Sequence, residues 1–292
     1  MINKPYAGLT ISIISVSFAA ILIVTSKAEP LSIAFFRLLF TTLLILPWVT
    51  FHKKTRDELK TISRSNLLIM SGIGLILAAH FALWITSLSY TSVASSVILV
   101  TAHPVLVAPI SYYFLKEKLT KINAAGIAIS LTGVFILVYG NYGFSLSLDT
   151  LEGNILAMLG GAAAGLYILG GRKLRKTVSI ATYAFIVYAI GTIALFFICI
   201  TFNAPIYGLP VREYLIILLM AVIAGIFGHT LYNWSLKYIR ASIASVSLLG
   251  EPIGSSILAF ILPWINQIPS QYTFIGGTII LFGIYLTSRP QK

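Results

Sequence analysis

Ten runs of apolar residues, each about 20 residues long, occupy most of the chain and constrain its fold more than any other feature. A helix of about 20 residues is about 30 Å long, which matches the hydrocarbon thickness of a bilayer. We therefore predict an all-α integral membrane protein with ten transmembrane helices, numbered as spans 1 to 10. The predicted spans are residues 6–25, 31–50, 66–88, 93–114, 122–140, 153–171, 179–202, 214–236, 241–262 and 272–288.

The composition excludes a soluble or a disordered protein. Of the 292 residues, 58% are hydrophobic and 10% are charged, whereas soluble domains carry about 25% charged residues. A soluble globule of this size has too little interior to hide so much apolar surface from water, and disorder requires low hydrophobicity with high charge. The segments between the spans are too short to hold a separate catalytic or nucleotide-binding domain.

The basic residues predict the orientation in the membrane. The net charge of +12 would suit a nucleic-acid partner, but 17 of the 20 Lys and Arg residues lie at the two termini and in connections 2–3, 4–5, 6–7 and 8–9. Cytoplasmic loops are enriched in Lys and Arg. We therefore predict a multi-pass protein of the plasma (inner) membrane with both termini in the cytoplasm, a lipid bilayer around it and no nucleic-acid partner.

The two halves of the chain share landmarks in the same order. Ser-Ile-Ala opens spans 2 and 7, Ser-Leu-x-Tyr ends spans 3 and 8, and a proline lies in the middle of spans 4 and 9. Because each half has an odd number of spans, the second half must be inverted, as in many secondary transporters with midplane substrate sites. We predict a first repeat at 1–140, an external connection at 141–152 and a second repeat at 153–292.

Longer motifs resemble those of a known family, the EamA-like branch of the drug/metabolite transporter superfamily. They run from Gly228 to Trp234, through Gly250-Glu251-Pro252 and on to Gly276-Gly277, with Lys116-Glu117-Lys118-Leu119 in the first half. The resemblance implies ten helices, with spans 1–4 and 6–9 around a central cavity and spans 5 and 10 outside it. It also implies export or exchange of small metabolites. The family often repeats the acidic residue after span 9, whereas Trp264–Gln267 holds no carboxylate here.

Glu251 and His103 directly precede the repeat-related prolines Pro252 and Pro104. A charged residue at the centre of a bilayer costs about 2.5–3.5 kcal/mol, so a buried ionisable group there requires a reason. We predict that Glu251 and His103 bind substrate or couple a proton to transport, with His103 as the nearer partner of Glu251, and that the prolines are hinges. The alternatives are a structural hydrogen-bonded pair and static kinks.

Two further helix faces are too polar to contact lipid. His80, Trp84 and Ser87 share one face of span 3, and the corresponding face of span 8 is also polar. Arg37, inside span 2, either extends outward to the interface or pairs with a substrate carboxylate. The predicted substrate-binding residues are Arg37, His80, Trp84, Ser87, His103, His229, Tyr232, Asn233 and Glu251.

From these observations we predict a secondary transporter, a monomer or homodimer, that exports or exchanges amino acids or related small metabolites by alternating access. The sequence holds no P-loop, HExxH or metal-ligand cluster, so we predict no cofactor, no metal and no enzymatic activity. The alternatives are a membrane-embedded enzyme that uses Glu251 and the intramembrane histidines as acid/base groups, and a channel or scaffold. We predict that the basic run 172–176 anchors the protein on anionic lipid, and that the paired glycines of spans 5 and 10 pack those helices against the rest.

Overall fold

The computed structural model describes residues 4–91, 93–142, 148–262, 268 and 270–288. These residues form helices and short connections, without a strand among them. A π-helix (Ala221–Thr230) and a 3₁₀ turn (Leu248–Gly250) interrupt the α-helices. The α-helices are α1 Lys4–Thr25, α2 Pro30–Phe51, α3 Lys53–Thr61, α4 Arg64–Ser87, α5 Val93–Thr101, α6 Pro104–Phe114, α7 Lys121–Tyr142, α8 Leu148–Leu174, α9 Ile180–Thr201, α10 Val211–Met220, α11 Leu231–Ser235, α12 Ala241–Ser247, α13 Glu251–Ile261 and α14 Gln271–Ser288.

Seven helical stretches in the described part are long and apolar enough to cross a membrane. Shorter apolar stretches at Leu99–Phe114 and Lys121–Leu137 coincide with predicted spans 4 and 5, and α14 coincides with span 10. The chain is therefore an all-helical membrane protein, and the count of ten spans stays a prediction. The seven stretches are Lys4–Thr25, Pro30–Phe51, Arg64–Ser87, Thr150–Leu174, Ile180–Thr201, Val211–Ser235 and Ala241–Leu258.

Large apolar side chains cover the outside of the helical assembly. Phe51 and Phe114 are 84% and 80% exposed, and Phe197 is also exposed. Contiguous apolar surface of this kind is rare on soluble monomers, whereas a bilayer solvates it. The outer surface thus agrees with the membrane location that the apolar runs predict.

Two predicted spans are broken near their centres, just before a proline. In span 4, α5 ends at Thr101 and α6 begins at Pro104. In span 9, a 3₁₀ turn separates α12 from α13, which begins at Glu251 and continues with Pro252. Proline lacks a backbone N–H and its ring clashes with the preceding turn, so each α-helix stops there. The sequence predicted kinks or hinges at these positions, and the structure has helix ends.

Helices α7 and α14 pack along each other through glycines. A Cβ atom on Gly126 would lie 2.7 Å from the carbonyl oxygen of Gly283, and one on Gly133 would lie 2.8 Å from that of Gly276. The absence of side chains lets the two backbones approach closely. The prediction that these glycines pack spans 5 and 10 against the remaining helices is therefore wrong, because the glycines of the two helices face one another.

The basic run at the end of α8 was predicted to be a lipid anchor, but half of it points inward. Arg172 and Arg175 are buried, whereas Lys173 and Lys176 are exposed. Each arginine is followed by an exposed lysine, and each donates a hydrogen bond to a carbonyl oxygen of a neighbouring segment. The anchoring prediction thus remains only for the two lysines.

The structure also contains an element that the sequence did not predict. Helix α3, rich in Lys and Arg, lies in connection 2–3, where only a basic loop was expected. Three parts of the sequence predictions lie outside the described residues: Trp264–Gln267, residues 143–147 of the external connection, and the basic residues at 289–292.

Candidate functional site

A cavity with a volume of about 70 Å³ lies among the broken helices. Seven of the nine predicted substrate-binding residues line it: Arg37, His80, Trp84, His103, His229, Tyr232 and Glu251. The other lining residues are Val16, Ala19, Val97, Val100, Thr101, Ala164, Tyr167, Ile168 and Leu248. The wall is therefore largely apolar, with a few polar groups that converge on one space.

Arg37 on α2 is the buried cation of the cavity. It is only 1% exposed, and Nε, Nη1 and Nη2 have no hydrogen-bond partner within the described residues. The guanidinium lies over the ring of Phe81, with 4.5 Å between Cζ and the ring centroid. It also borders a side cavity of about 10 Å³. Arg37 therefore does not extend to the interface, and its three nitrogens are buried without a hydrogen-bond partner among the described residues.

Glu251, the first residue of α13, supplies the opposite charge. Glu251 and Arg37 interact electrostatically, but no ion pair within 4 Å joins them among the described residues. The hydroxyl of Ser17 on α1 donates to the Glu251 backbone carbonyl at 3.3 Å, which fixes the start of α13. The cavity is thus lined by one basic and one acidic side chain that do not form an ion pair.

His103 occupies the turn between α5 and α6 and does not pair with Glu251. Its Nδ1 lies 2.8 Å from the Ser245 hydroxyl of α12. The sequence placed His103 and Glu251 in equivalent positions, but it did not show where the His103 ring or the Glu251 carboxylate points. The expected His103–Glu251 pair is therefore replaced by a contact between His103 and α12, while Arg37 is the charged group that acts on Glu251.

His80 and Trp84 on α4 form a stacked pair. Their ring centroids are 5.8 Å apart and their planes are inclined by 8°. His80 Nδ1 lies 2.9 Å from the Gly160 carbonyl oxygen, and since a carbonyl only accepts, Nδ1 carries the proton. In a neutral ring Nε2 is then a hydrogen-bond acceptor. Trp84 Nε1 is buried without a partner in the described part, so α4 contributes an aromatic surface with one free donor.

The second half contributes His229 and Tyr232. The His229 ring stands edge-on to Phe81, at 5.2 Å between centroids, and His229 lies in the π-helix. π-Helical turns are rare and occur frequently at functional sites. The Tyr232 hydroxyl is buried and has no partner among the described residues. This wall therefore also carries a buried polar group with unused hydrogen-bonding capacity.

Two predicted residues lie behind the wall of the cavity. Asn233 donates to the His229 carbonyl at 2.7 Å and also to the hydroxyl of Tyr167. Ser87 shares a 2.7 Å hydrogen bond with Ser96, which ties the end of α4 to α5. Both side chains are buried and position lining residues instead of facing the cavity.

Tyr167 on α8 is a lining residue that the sequence analysis missed. It lies in a glycine- and alanine-rich stretch that was interpreted as close helix packing. A lone hydroxyl-bearing aromatic in such a stretch was the available signal. In the part of the chain that the structure describes, no group of three or more His, Cys, Asp and Glu side chains is placed to hold a metal ion.

Comparisons with known proteins identify the family. The EamA-like transporter family model matches residues 6–139 and again residues 151–289. An uncharacterized transporter of Archaeoglobus fulgidus is 27% identical over 97% of this chain and 96% of its own length. The uncharacterized transporter YyaM of Bacillus subtilis is 24% identical over 78% of this chain and 75% of its own length.

A solved crystal structure has the same fold. It superimposes with a TM-score of 0.79 over 98% of this chain and 96% of that one, at 16% sequence identity. The described cavity is therefore set in a fold that is already known from experiment. The chain is a membrane transport protein, and it belongs to the EamA-like transporter family.

Proposed function

We propose that the protein is a secondary transporter of the plasma membrane that exports or exchanges amino acids or related zwitterionic metabolites. The observation that carries the proposal is the buried guanidinium of Arg37, without a hydrogen-bond partner among the described residues, on the same cavity as Glu251. A planar guanidinium binds a carboxylate through two parallel hydrogen bonds. The Glu251 carboxylate complements an ammonium group at the other end of the same ligand.

The uncharged wall supports a small, partly apolar substrate. Val16, Val100 and Ile168 line the cavity beside the charged groups, and the stacked rings of His80 and Trp84 offer a flat surface. An amino acid places its two charges close together and directs its side chain away from them. The proposed substrate would therefore pair with Arg37 and Glu251 while its side chain contacts the apolar and aromatic residues.

Alternating access is supported by the repeated organisation. The family model matches each half of the chain separately. Helix α4 packs on α8, and its counterpart in the other half is the packing of α1 on the π-helix and α11. Helix α2 packs on α9, and α7 packs on α14. Each of these last two contacts joins equivalent helices of the two halves and is its own counterpart. Inverted repeats with broken midplane helices allow one bundle to move against the other around a fixed site.

The orientation and the coupling are parts of the same proposal. The Lys and Arg residues in the connections favour a cytoplasmic location for both termini. Glu251 is the proposed coupling residue if transport is proton-driven, with His103 as a second candidate, and Pro104 and Pro252 mark the helix ends about which the broken spans would move. An exchanger needs no such proton, so the coupling has to be measured separately from binding.

Transport by purified protein in proteoliposomes tests the proposal. Uptake of labelled amino acids is measured with and without a pH gradient, in competition with two analogues of the transported compound, the amide that lacks the carboxylate and the acid that lacks the amine. We expect saturable uptake that the amino acid inhibits strongly and both analogues inhibit weakly. Uptake that is not saturable, or no uptake of any amino acid, would contradict the proposal.

A further inference from the structure

A buried ion pair lies at the predicted cytoplasmic end of the cavity. Arg172 Nε and Glu117 Oε1 are 2.7 Å apart, and the two side chains are 11% and 6% exposed. Arg172 lies in the last turn of α8, and Glu117 lies in the connection between α6 and α7. The pair therefore joins the start of the second repeat to the end of span 4 in the first.

The same two side chains also hold a third segment. Arg172 Nη1 donates to the carbonyl oxygens of Leu236 at 2.7 Å and Lys237 at 2.9 Å. Glu117 Oε2 accepts the backbone N–H of Ala241, the first residue of α12, at 2.9 Å. Arginine thus satisfies carbonyls beyond the end of α11, and glutamate satisfies an N–H at the start of α12. We name this set, Glu117 and Arg172 with their three backbone partners, the inner lock.

The inner lock lies directly beyond the floor of the cavity. Arg172 follows Tyr167 by five residues, which is about 7.5 Å along a helix axis. Between them, the hydrogen bond from Asn233 to the Tyr167 hydroxyl joins α11 to α8. The path from the cavity to the predicted cytoplasmic surface is therefore crossed first by a neutral hydrogen bond and then by a buried ion pair.

The opposite end of the protein is closed differently. Glu213 pairs there with its sequence neighbour Arg212, whose side chain is 54% exposed. Across that end, Glu213 accepts the Ser26 hydroxyl at 2.7 Å and the Lys27 N–H at 2.9 Å, and Arg212 donates to the Thr25 carbonyl oxygen at 3.3 Å. The stretch that corresponds to the Glu117 segment in the second repeat, Trp264–Gln267, contains no carboxylate. In the described residues, a buried ion pair between separate segments therefore exists at one end alone.

We infer that the inner lock is the cytoplasmic gate of the transport cycle and that it holds the substrate-free protein closed to the cytoplasm. This inference rests on the proposed transport function. An inward opening must part α8 from the α11–α12 turn and from Glu117, and both charges then meet water. Hydration of the separated charges offsets much of the lost attraction, so the gate opens reversibly.

Sided labelling of a cysteine in the cavity tests the gate. Cys199 is buried, so the background is Cys199→Ser, and the reporter is Ala164→Cys, which lies on the cavity wall of α8. A membrane-impermeant maleimide is applied to right-side-out and to inside-out vesicles without substrate. We expect the reporter to react mainly from the external side, and Glu117→Gln to raise its cytoplasmic labelling rate by about tenfold, because Arg172 is then left uncompensated.

Two further variants complete the test. Arg172→Lys keeps the charge but loses the planar guanidinium that reaches two carbonyl oxygens, so we expect a smaller rise in the cytoplasmic labelling rate. If Glu117→Gln does not fold, Arg172→Lys tests the gate in its place. Lys173→Ala, at the exposed neighbour, is the matched control and should label like the parent. Equal labelling in the parent and both lock variants, or a parent that reacts mainly from the cytoplasm, would overturn the inference. Labelling needs no substrate, so failure of the gate is distinguishable from failure of transport.

Discussion

The two halves of the cavity share a backbone design and differ in charge. Spans 4 and 9 both break just before a proline, which places His103 and Glu251 at equivalent points. The first half supplies the cation Arg37, and the second half supplies the anion Glu251. The two walls therefore have similar helix breaks and opposite charges. The proposed zwitterionic substrate carries a charge that complements each wall.

The helices that carry the imidazoles differ as well. Helix α4 is regular through His80, whereas the equivalent part of span 8 becomes π-helical from Ala221 to Thr230 and includes His229. The Thr230 hydroxyl donates to the Gly225 carbonyl at 3.0 Å inside this segment. A π-turn changes the direction of the side chains that follow it. The second wall is thus the more irregular one, and the following variants examine whether the two walls bind substrate unequally.

The largest effect is expected for the cation of the first wall. Arg37→Gln should weaken binding of the amino acid by about 100-fold, because hydrogen bonds to a charged group contribute about 1.5–3 kcal/mol. Arg37→Lys should lie between the wild type and Arg37→Gln, since lysine keeps the charge but lacks the planar fork. Binding is measured by isothermal calorimetry or competition in detergent. If wild type and Arg37→Gln bound the amino acid with equal affinity, the proposed contribution of the Arg37 charge to binding would be wrong.

The anion of the second wall should have the next largest effect. Glu251→Gln should lower affinity by about tenfold and reduce net flux and exchange together, because the amide keeps its size but loses the charge that pairs with an ammonium. Net flux and exchange are measured on the same reconstituted variant. Collapse of proton-driven net flux with intact exchange would instead assign Glu251 to proton coupling. Normal transport with lower thermal stability would make it a structural residue.

A smaller pair of effects compares the two walls directly. Trp84→Phe and Tyr232→Phe each delete one buried polar group that has no partner among the described residues. If substrate bonds to that group, affinity should fall by about five-fold, and if it does not, removal of an unsatisfied group should leave binding unchanged and stabilise the protein slightly. We expect the five-fold loss in both variants. A loss in one variant only would show that the polar contacts are confined to one wall.

The smallest effect lies outside the cavity. Glu58 on α3 accepts the N–H of Ser179 at 2.8 Å and the hydroxyl of Thr182 at 2.6 Å. Burial raises the pKa of Glu58, but the hydrogen bonds from Ser179 and Thr182 outweigh it and leave the pKa below its ordinary value. This contribution to stability is therefore present at neutral pH and is lost as the pH falls from about 4.3 through the lower folded pKa.

Glu58→Gln should accordingly lower the free energy of unfolding at pH 7 by less than about 1 kcal/mol, as for other solvent-exposed contacts. The difference from wild type should disappear in acid below the folded pKa, and transport should be unchanged. Thermal unfolding at pH 7 and pH 3 measures this. A change in substrate affinity would show that the surface near α3, predicted to be cytoplasmic, is coupled to the cavity, and would weaken the comparison of the two walls.

The sequence predicts the lining residues better than their contacts. Helical periodicity and the equivalent prolines place His80, Trp84 and Glu251 on inward faces, because lipid excludes such side chains from the others. Periodicity does not give the distance between side chains on different helices. It therefore paired Glu251 with His103 and missed the contribution of Tyr167.

The basic run of α8 shows the same limit. Counting charges predicts that the run lies at a membrane boundary, but the count treats Arg172 and Lys173 alike. Arg172 is buried and Lys173 is exposed because of the way α8 packs against the α11–α12 turn. The π-helix was also outside the reach of a pattern analysis, since a regular helix and a π-helix share the same apolar composition.

Counterflow in proteoliposomes tests the central claim most directly, namely that one site between the two walls is exposed alternately to the two sides. Vesicles are loaded with an excess of unlabelled amino acid and diluted into a trace of the labelled compound. The account predicts transient accumulation of label above its external concentration in wild type, and its loss in Arg37→Gln. Label that enters at the same rate in loaded and empty vesicles, and never exceeds the external concentration, would contradict it.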